Sequence, residues 1–378
     1  MSIIIVDDNA TNQLIVMAIL NKAGYEDLRM VSSAKELYSL LGIGSPEVNE
    51  SSVDLILMDM MMPEIDGLQA CRRIQEEERF KDVPIIFVTA VGDSSKMAEA
   101  LDAGASDYVM KPINKMELLA RIRSALRLKK EIDWHKERDK RIKYKLELAK
   151  QVQRSVLSLP IHDENVEISA VYQPSSELAG DFYAWYRIDK NRYGAILLDI
   201  MGHGISSSLV CMYIYSVLQD AITRISDPEQ VMNELNRYMN KLYMKDELLN
   251  YYFTAIYLVL DTEQKTIEYV NAGHPPGFVL MDDKVTLLTQ GSCAIGLFEN
   301  IEISKGKITY EDSIKIVLYT DGLTEAMGEG GEVTVDMLVA HVNKRKDMEL
   351  PELAACLIPE QNHGTERDDI CLVMLTAK

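Results

Sequence analysis

Residues 55–67 read LILMDMMMPEIDG, and this stretch decides the fold of the N-terminal third of the chain. Its first four residues form an apolar run short enough for a buried strand, and Asp59 follows that run directly. Similar runs occur on both sides, as SIIIVDD, VPIIFVTA and ASDYVMKP, and helical patterns separate them at Asn12–Ala23, Gly67–Glu77 and Ser94–Ala103. This alternation predicts an α/β fold, a doubly wound parallel sheet with helices on both faces.

Polar side chains follow these predicted strands, at the edge of the sheet where parallel strands bring their carboxyl ends together. They are Asp7, Asp8, Asp59, Thr89 and Lys111. Three carboxylates at one edge repel one another unless a hard cation such as Mg²⁺ lies between them. A carboxylate beside Mg²⁺ can attack a phosphoryl group, and a lysine and a hydroxyl can then hold the phosphate. The pattern therefore predicts a site of aspartyl phosphorylation.

The motifs IIIVDDN, LILMDMMMPEIDG, FVTA and DYVMKP resemble, in order and spacing, those of two-component receiver domains, whose fold is flavodoxin-like. The resemblance covers residues 1–122. It implies that a cognate sensor histidine kinase phosphorylates Asp59 and that Mg²⁺ is the cofactor. It also implies further site residues: Asp7 and Asp8 as metal carboxylates, the Met61 carbonyl as a metal ligand, Thr89 and Tyr108 as switch residues, and Lys111 as the phosphate contact.

The stretch Leu118–Val156 has no glycine or proline, and its apolar residues recur at alternating spacings of three and four. Between Arg121 and Arg154, 13 Lys and Arg stand against 5 Asp and Glu, a local charge of +8 in a chain of charge −19. We expect one long helix here, with residues 123–158 as a linker. The linker either pairs as a short parallel coiled coil in a homodimer or remains a single solvated helix.

Beyond Pro160 the apolar period changes, and eight segments, beginning with VEISAVYQP and RYGAILLDI, read as strands. Helical patterns occupy Gly204–Ile225, Pro228–Met244 and Val335–Lys346. Because the strands cluster around the helices instead of alternating with them, residues 159–378 are predicted to form an α+β sandwich of two antiparallel sheets flanked by helices.

A second acidic set lies beside predicted strand ends and turns in this region: Asp181, Asp199, Asp321, Asp368 and Asp369. Carboxylates without a nearby cationic residue suggest two Mn²⁺ or Mg²⁺ ions. A pair of such ions can activate water for attack on a phosphomonoester. Ordinary Asp-Gly turns are the alternative interpretation, because this dipeptide is common in turns.

The motifs GDFY, DIMGHG, NAGHPP, YTDGLTEA and DDI resemble, over residues 148–378, those of SpoIIE-like metal-dependent serine/threonine phosphatases of the protein phosphatase 2C superfamily. The resemblance implies that Asp181, Asp199 and Asp321 carry the catalysis. It implies as metal ligands Asp181, Asp199, the Ile200 carbonyl, Asp321 and Asp368, with Asp369 adjacent. Ala179 stands where the family often has Gly, and Ala184 where it often has Asp, but neither substitution removes a metal carboxylate.

Three further residues have expected roles at this stage. His203 and His274 are expected to hold loop structure, because Mg²⁺ and Mn²⁺ prefer oxygen ligands. The segment AKQVQRSVLSLP resembles the regulatory helix that precedes such phosphatase domains, with Gln153 at its usual place.

These resemblances imply a response regulator in which phosphorylation of Asp59 controls a protein phosphatase. In similar proteins the substrate is a phosphorylated anti-sigma-factor antagonist in a partner-switching pathway. The alternative is a phosphorylation-dependent adaptor with a non-catalytic phosphatase-like domain. The charge of −19 argues against direct nucleic-acid binding, and no apolar run is long enough for a membrane span. Five scattered cysteines indicate a reducing compartment, so we expect a cytoplasmic protein.

Overall fold

The structure is a computed structural model, and it describes residues 1–44, 53–90, 94–202, 204–243, 251–281, 284–328, 333–358 and 368–378. The chain divides into two compact units, Met1–Ile142 and Lys143–Lys378. A 41-residue helix, Lys115–Ser155, begins in the first unit and ends in the second. None of the helices in the described ranges has the length and apolarity that crossing a membrane requires.

The first unit contains a five-stranded parallel sheet with helices between successive strands, which confirms the doubly wound prediction. The strand order is β2-β1-β3-β4-β5. The elements are β1 Ser2–Val6, α1 Ala10–Lys22, β2 Asp27–Val31, α2 Ala34–Leu41, β3 Leu55–Met58, α3 Gly67–Gln75, β4 Ile85–Thr89, α4 Ser94–Asp102, β5 Asp107–Met110 and α5 Lys115–Ser155.

Two details of the first unit differ from the sequence-based prediction. Strand β2 lies at the edge of the sheet, so it has no need of the continuous apolar run that marks the buried central strands, and its sequence DLRMV gave no such signal. Helix α5 begins three residues before the predicted Leu118. The Asn114 side chain caps it by accepting hydrogen bonds from the backbone N–H groups of Met116 (2.9 Å) and Glu117 (3.3 Å).

The second unit is a sandwich of two sheets. One sheet has the order β14-β11-β10-β9-β8, with β15 also paired to β11, and the other has the order β13-β12-β16-β17-β7-β6. The elements are β6 Ile161–His162, β7 Val166–Gln173, β8 Phe182–Arg187, β9 Arg192–Ile200, α6 Ile205–Arg224, α7 Pro228–Tyr243, β10 Phe253–Asp261, β11 Thr266–Ala272, β12 Phe278–Met281, β13 Lys284–Leu287, β14 Gly291–Ser292, β15 Gly306–Thr309, β16 Ile314–Tyr319, α8 Asp321–Met327, α9 Val335–Asn343, α10 Leu350–Leu357 and β17 Ile370–Ala377.

Three apolar layers hold this sandwich together. Side chains of both sheets, such as Leu258 and Val373, pack against each other in the centre. Helices α6 and α7 cover the outer face of the first sheet, and α8, α9 and α10 cover that of the second. The predicted architecture is confirmed, but the predicted segments do not include four of the strands and two of the helices: β6, β8, β14, β15, α8 and α10. The short pairing of β11 with β14 is parallel, so that sheet is mixed.

Candidate functional site

The carboxylates of the first unit meet where the sequence predicts. Asp7 follows β1 and Asp59 follows β3, and each offers an oxygen within 4.8 Å of one from Asp8 and of one another. Asp7 and Asp59 are buried, whereas Asp8 is exposed. Oxygen ligands grouped in this way, with one side open, fit Mg²⁺.

Lys111 places a positive charge beside two of these carboxylates. Its Nζ donates hydrogen bonds to Asp7 Oδ2 (2.8 Å) and Asp59 Oδ2 (2.7 Å). Burial by itself lowers the pKa of Lys111, but the hydrogen bonds to Asp59 and Asp7 outweigh it and the pKa is raised. The ammonium is therefore charged and already bonded to the expected phosphoacceptor.

The remaining expected receiver residues lie directly after β3, at the end of β4 and on β5. The Met61 N–H points to Asp59 Oδ1 at 3.3 Å, Thr89 is fully buried at the end of β4, and Tyr108 lies on β5 beneath the Arg121 guanidinium. Gly67 is a position that the sequence analysis missed. A Cβ there would lie 2.3 Å from the carbonyl oxygen of Asp59, so only glycine lets α3 start so close to this residue.

The second acidic set lies at strand ends of both sheets. Asp181 precedes β8 and Asp199 is the penultimate residue of β9, while Asp321 follows β16 and Asp368 and Asp369 precede β17. Since β8 and β9, like β16 and β17, are antiparallel neighbours, each sheet brings its carboxylates to one edge.

The pKa values show that the carboxylates of the two sheets affect one another. Burial raises the pKa of Asp199 to about 7, and the charges of Asp321 and Asp368 add to the effect. Burial and then the charge of Asp199 raise the pKa of Asp181 well above its ordinary range. Among the residues described, no lysine, arginine or histidine forms an ion pair with any of these carboxylates.

The surroundings of Asp181 Oδ2 show whether this set fits a metal ion. Asp181 is 3% exposed, and its Oδ2 is buried with no hydrogen-bond partner among the described residues. A buried carboxylate oxygen without a donor is costly, and a hard cation would satisfy it. The Ile200 carbonyl is close by, since its oxygen lies 3.0 Å from where a Cβ on Gly180 would be. The donor set therefore fits Mg²⁺ or Mn²⁺.

Asp368 and Asp369 have different surroundings although they are adjacent. Asp369 is buried, and its Oδ1 accepts hydrogen bonds from the N–H (2.7 Å) and Oγ (2.8 Å) of Ser175. Its Oδ2 accepts one from the Gly180 N–H (2.8 Å). Asp368 is exposed and accepts a hydrogen bond only from the Asp369 N–H (2.8 Å) in the part of the chain described. Asp369 thus anchors the loop that leads to Asp181.

The chain around Asp321 forms a helix where the sequence indicated a turn. Thr320 is the N-cap of α8, so Asp321 is its first residue. Gly322 is required here, because a Cβ would lie 2.1 Å from the Asp369 carbonyl oxygen. Glu325, one turn later, is a residue that the sequence analysis missed. Burial and the charges of Asp321 and Asp368 raise its pKa, which places it at the margin of the acidic set.

Gln153, in the last turn of α5, contacts the same loop. Its Nε2 donates to the Ala179 carbonyl (2.8 Å), and its Oε1 accepts from the Ala179 N–H (3.2 Å). The side chain is 5% exposed. Two hydrogen bonds therefore join the end of the linker helix to a residue two positions before Asp181.

The two histidines have different outcomes. His274 is buried, burial lowers its pKa to about 3, and its Nδ1 lies 2.8 Å from Thr254 Oγ1. Its backbone N–H donates to Asn271 Oδ1 (2.8 Å), and Asn271 Nδ2 donates to the His274 carbonyl (2.9 Å). These hydrogen bonds stabilise the loop that contains His274. His203 lies outside the described residues.

Fold and site together define a class of protein: a response regulator receiver domain joined to a phosphatase domain of the protein phosphatase 2C type. Residues 3–123 match the response regulator receiver domain family, and residues 189–378 match the family of stage II sporulation protein E (SpoIIE). The chain belongs to the SpoIIE family.

Individual relatives resemble one part of the chain or the other. Phosphoserine phosphatase RsbP of Bacillus subtilis is 38% identical over 242 residues, which cover 62% of this chain and 58% of RsbP. The transcriptional regulator RpaA of Synechocystis is 34% identical over 125 residues, 33% of this chain and 48% of RpaA. The chain thus spans about half of each relative's length. The SiaA-PP2C domain of Pseudomonas aeruginosa shares the fold, with a TM-score of 0.54 and 22% identity, over 62% of this chain and 97% of that one.

From the carboxylate site of the receiver, we predict that acetyl phosphate with Mg²⁺ phosphorylates the protein on Asp59. Asp59→Ala should abolish labelling, because a methyl group cannot attack phosphorus. Asp66→Ala, which removes the α3 N-cap while leaving the three carboxylates in place, is the matched control and should still be labelled. The measurement is mass spectrometry of the intact chain. Equal labelling of wild type and Asp59→Ala would assign the phosphoryl group to another residue.

Proposed function

We propose that this protein is a response regulator whose second unit hydrolyses phosphoserine or phosphothreonine on a partner protein, and that phosphorylation of Asp59 controls this activity. A sensor histidine kinase is the proposed phosphoryl donor. The proposed substrate is a phosphorylated protein like the anti-sigma-factor antagonists of partner-switching pathways. The similarity to phosphoserine phosphatase RsbP supports phosphoserine as the group that is hydrolysed.

The observation that carries the proposal is the acidic set at the edge of the sandwich. It combines a buried carboxylate oxygen that lacks a donor with carboxyl groups whose pKa values burial and like charge raise. Such groups serve no purpose for stability, because each one costs free energy when ionised. An intact set of this kind favours an enzyme over the adaptor alternative.

We propose the following roles for the residues of the acidic set. Asp181, Asp199, Asp321, Asp368 and the Ile200 carbonyl are the proposed ligands of two Mn²⁺ or Mg²⁺ ions. When bound, the ions supply a Lewis acid and an activated water. Asp369 positions Asp181 through the loop that it holds.

The linker is the proposed route of control. The apolar residues at the start of α5 are buried in the first unit. Beyond the polar stretch 133–141, a second apolar seam contains Ile142 (47% exposed) and, one turn later, Leu146, which is half-buried. An apolar stripe on a helix favours self-pairing, so we propose a parallel homodimer through this helix. Because Gln153 is bonded to Ala179, a change in the packing of the helix can move the loop that carries Asp181.

The phosphatase proposal is tested by comparing the two adjacent aspartates. With Mn²⁺, Asp368→Asn should lower the hydrolysis of a phosphoserine peptide by several orders of magnitude, because it removes a proposed ligand. Asp369→Asn should lower metal affinity about 10- to 100-fold through its effect on the loop, without changing the number of ions bound. Peptide hydrolysis rates and calorimetric Mn²⁺ titration are the measurements. Wild-type activity that survives EDTA would contradict the metal mechanism.

The linker proposal predicts that Leu146→Glu weakens dimerisation and uncouples activity from the receiver. A charge in the apolar seam is unfavourable only if the seam is paired. The matched control is Met337→Glu, which introduces the same charge at a 48% exposed position on α9, away from the linker helix. Light scattering and phosphatase rates, with and without beryllofluoride as phosphoryl mimic, are the readouts. If Leu146→Glu remains dimeric and responds to the mimic as wild type does, the linker is only a tether.

A further inference from the structure

Five large apolar side chains stand exposed near the acidic edge of the second unit. We call them the apolar rim: Met201 (44% exposed), Ile205 (56%), Leu209 (65%), Leu297 (46%) and Phe298 (57%). They come from two separate segments of the chain, the start of α6 and the loop after β14. Large apolar residues that are exposed together mark a surface that contacts a partner.

Contacts with the strands place both segments beside the proposed metal ligands. Met201 directly follows Ile200, and the Ser207 Cβ on the inner face of α6 lies 3.5 Å from where a Cβ on Gly180 would be. Ile295, at the base of the loop, exchanges two backbone hydrogen bonds with Phe253 (3.1 and 2.9 Å). Phe253 in turn pairs with Ile200 across β9 and β10. Both segments of the rim therefore border the end of the sheet that carries Asp199.

The sequence of α6 makes its part of the rim apolar. No Lys, Arg, Asp or Glu occurs in the twenty residues between Asp199 and Asp220, although 26% of the chain is charged. The inner face of the helix packs on the sheet through residues such as Cys211 and Ile214. Its outer face is also apolar, at Ile205 and Leu209. A surface helix normally carries polar residues on its outer face, so packing within this unit does not explain these two.

The loop that carries Leu297 and Phe298 is held firmly although their side chains are exposed. Asn236 of α7 donates to the carbonyls of Phe298 and Glu299 (3.1 Å each) and accepts from the Gly296 N–H (2.8 Å). Asn240 adds a bond to the Phe298 carbonyl (3.2 Å). A loop fixed in advance loses little entropy when a partner binds.

We propose that the apolar rim is the docking surface for the phosphoprotein substrate, and that the substrate carries apolar residues next to its phosphorylated serine or threonine. This inference rests on the proposed phosphatase function. A phosphoryl group that reaches Asp199 and Asp321 must cross this edge of the unit, so the residues beside it come to lie against the rim. Five exposed apolar side chains match an apolar neighbourhood and favour it over a charged one.

The test uses the full chain with Mn²⁺ and three substrates. Two are phosphoserine peptides that differ only in the residues flanking the phosphoserine, leucine and isoleucine in one and serine and glutamine in the other. The third is p-nitrophenyl phosphate, which reports the metal centre without flanking residues. Wild type should show a kcat/KM about tenfold higher for the apolar peptide, the effect of burying roughly one side chain.

Two variants then test whether the apolar rim causes the preference for the apolar peptide. The double variant Ile205→Gln with Leu209→Gln keeps helix propensity and should bring the peptide ratio close to one while still hydrolysing p-nitrophenyl phosphate. Met337→Gln, at a 48% exposed position on α9, is the control and should keep the wild-type ratio. Equal kcat/KM values of wild type for the two peptides, or an unchanged ratio in the double variant, would overturn the proposal.

Two further outcomes are informative. One tests whether the rim contacts a second copy of the chain, and the other tests whether the second unit is a phosphatase. If the double variant loses dimer mass in light scattering but keeps the peptide ratio, the rim contacts a second copy of the chain and not the substrate. If wild type with Mn²⁺ hydrolyses none of the three substrates either with or without beryllofluoride, the proposed phosphatase function is wrong, and the docking role is wrong with it.

Discussion

The second unit depends on one constraint: its acidic set is largely buried, and no described basic side chain of the protein neutralises it. In the receiver, Lys111 lies between Asp7 and Asp59 and offsets part of their repulsion. At the edge of the sandwich, burial and mutual charge instead raise the carboxyl pKa values, and no described basic side chain pairs with them. The surrounding structure holds the repelling groups together: Asp369 bonds the loop before Asp181, and Gly322 allows α8 to approach the Asp369 backbone.

Much of this arrangement could be predicted from the sequence because strand ends carry the chemistry in both units. Asp59 and Asp199 were located by the apolar runs before them, and the structure places both at the ends of the corresponding strands. The roles of Asp369 and Gly67 could not be predicted, because they depend on distances between segments far apart in the chain. Strand β2 and helix α8 escaped prediction because an edge strand and a seven-residue helix have weak periodic signals.

The loop before Asp181 is where structure and proposed control meet. Gln153 holds it at Ala179 from the end of α5, and Asp369 holds it at Ser175 and Gly180 from the start of β17. In the proposed mechanism, a small displacement of the helix acts on the loop of the proposed metal ligand Asp181, and no rearrangement of the sheets is required. The apolar rim on α6 borders the same end of the sheet, so substrate contact and regulation act on neighbouring segments.

The central claim, that these carboxylates are a strained centre built for cations, is tested most directly by thermal unfolding of wild type and Asp199→Asn at pH 8. The folded-state pKa of Asp199 is about 7, above its ordinary 3.8, so its ionised form destabilises the metal-free fold at this pH. The account predicts that in EDTA Asp199→Asn unfolds at a higher temperature than wild type, by on the order of 2–4 °C per kcal/mol of relieved repulsion. It also predicts that Mn²⁺ raises the unfolding temperature of wild type more than that of Asp199→Asn, because the receiver site is the same in both. A variant that is less stable than wild type in EDTA, or an equal Mn²⁺ shift in the two proteins, would contradict it.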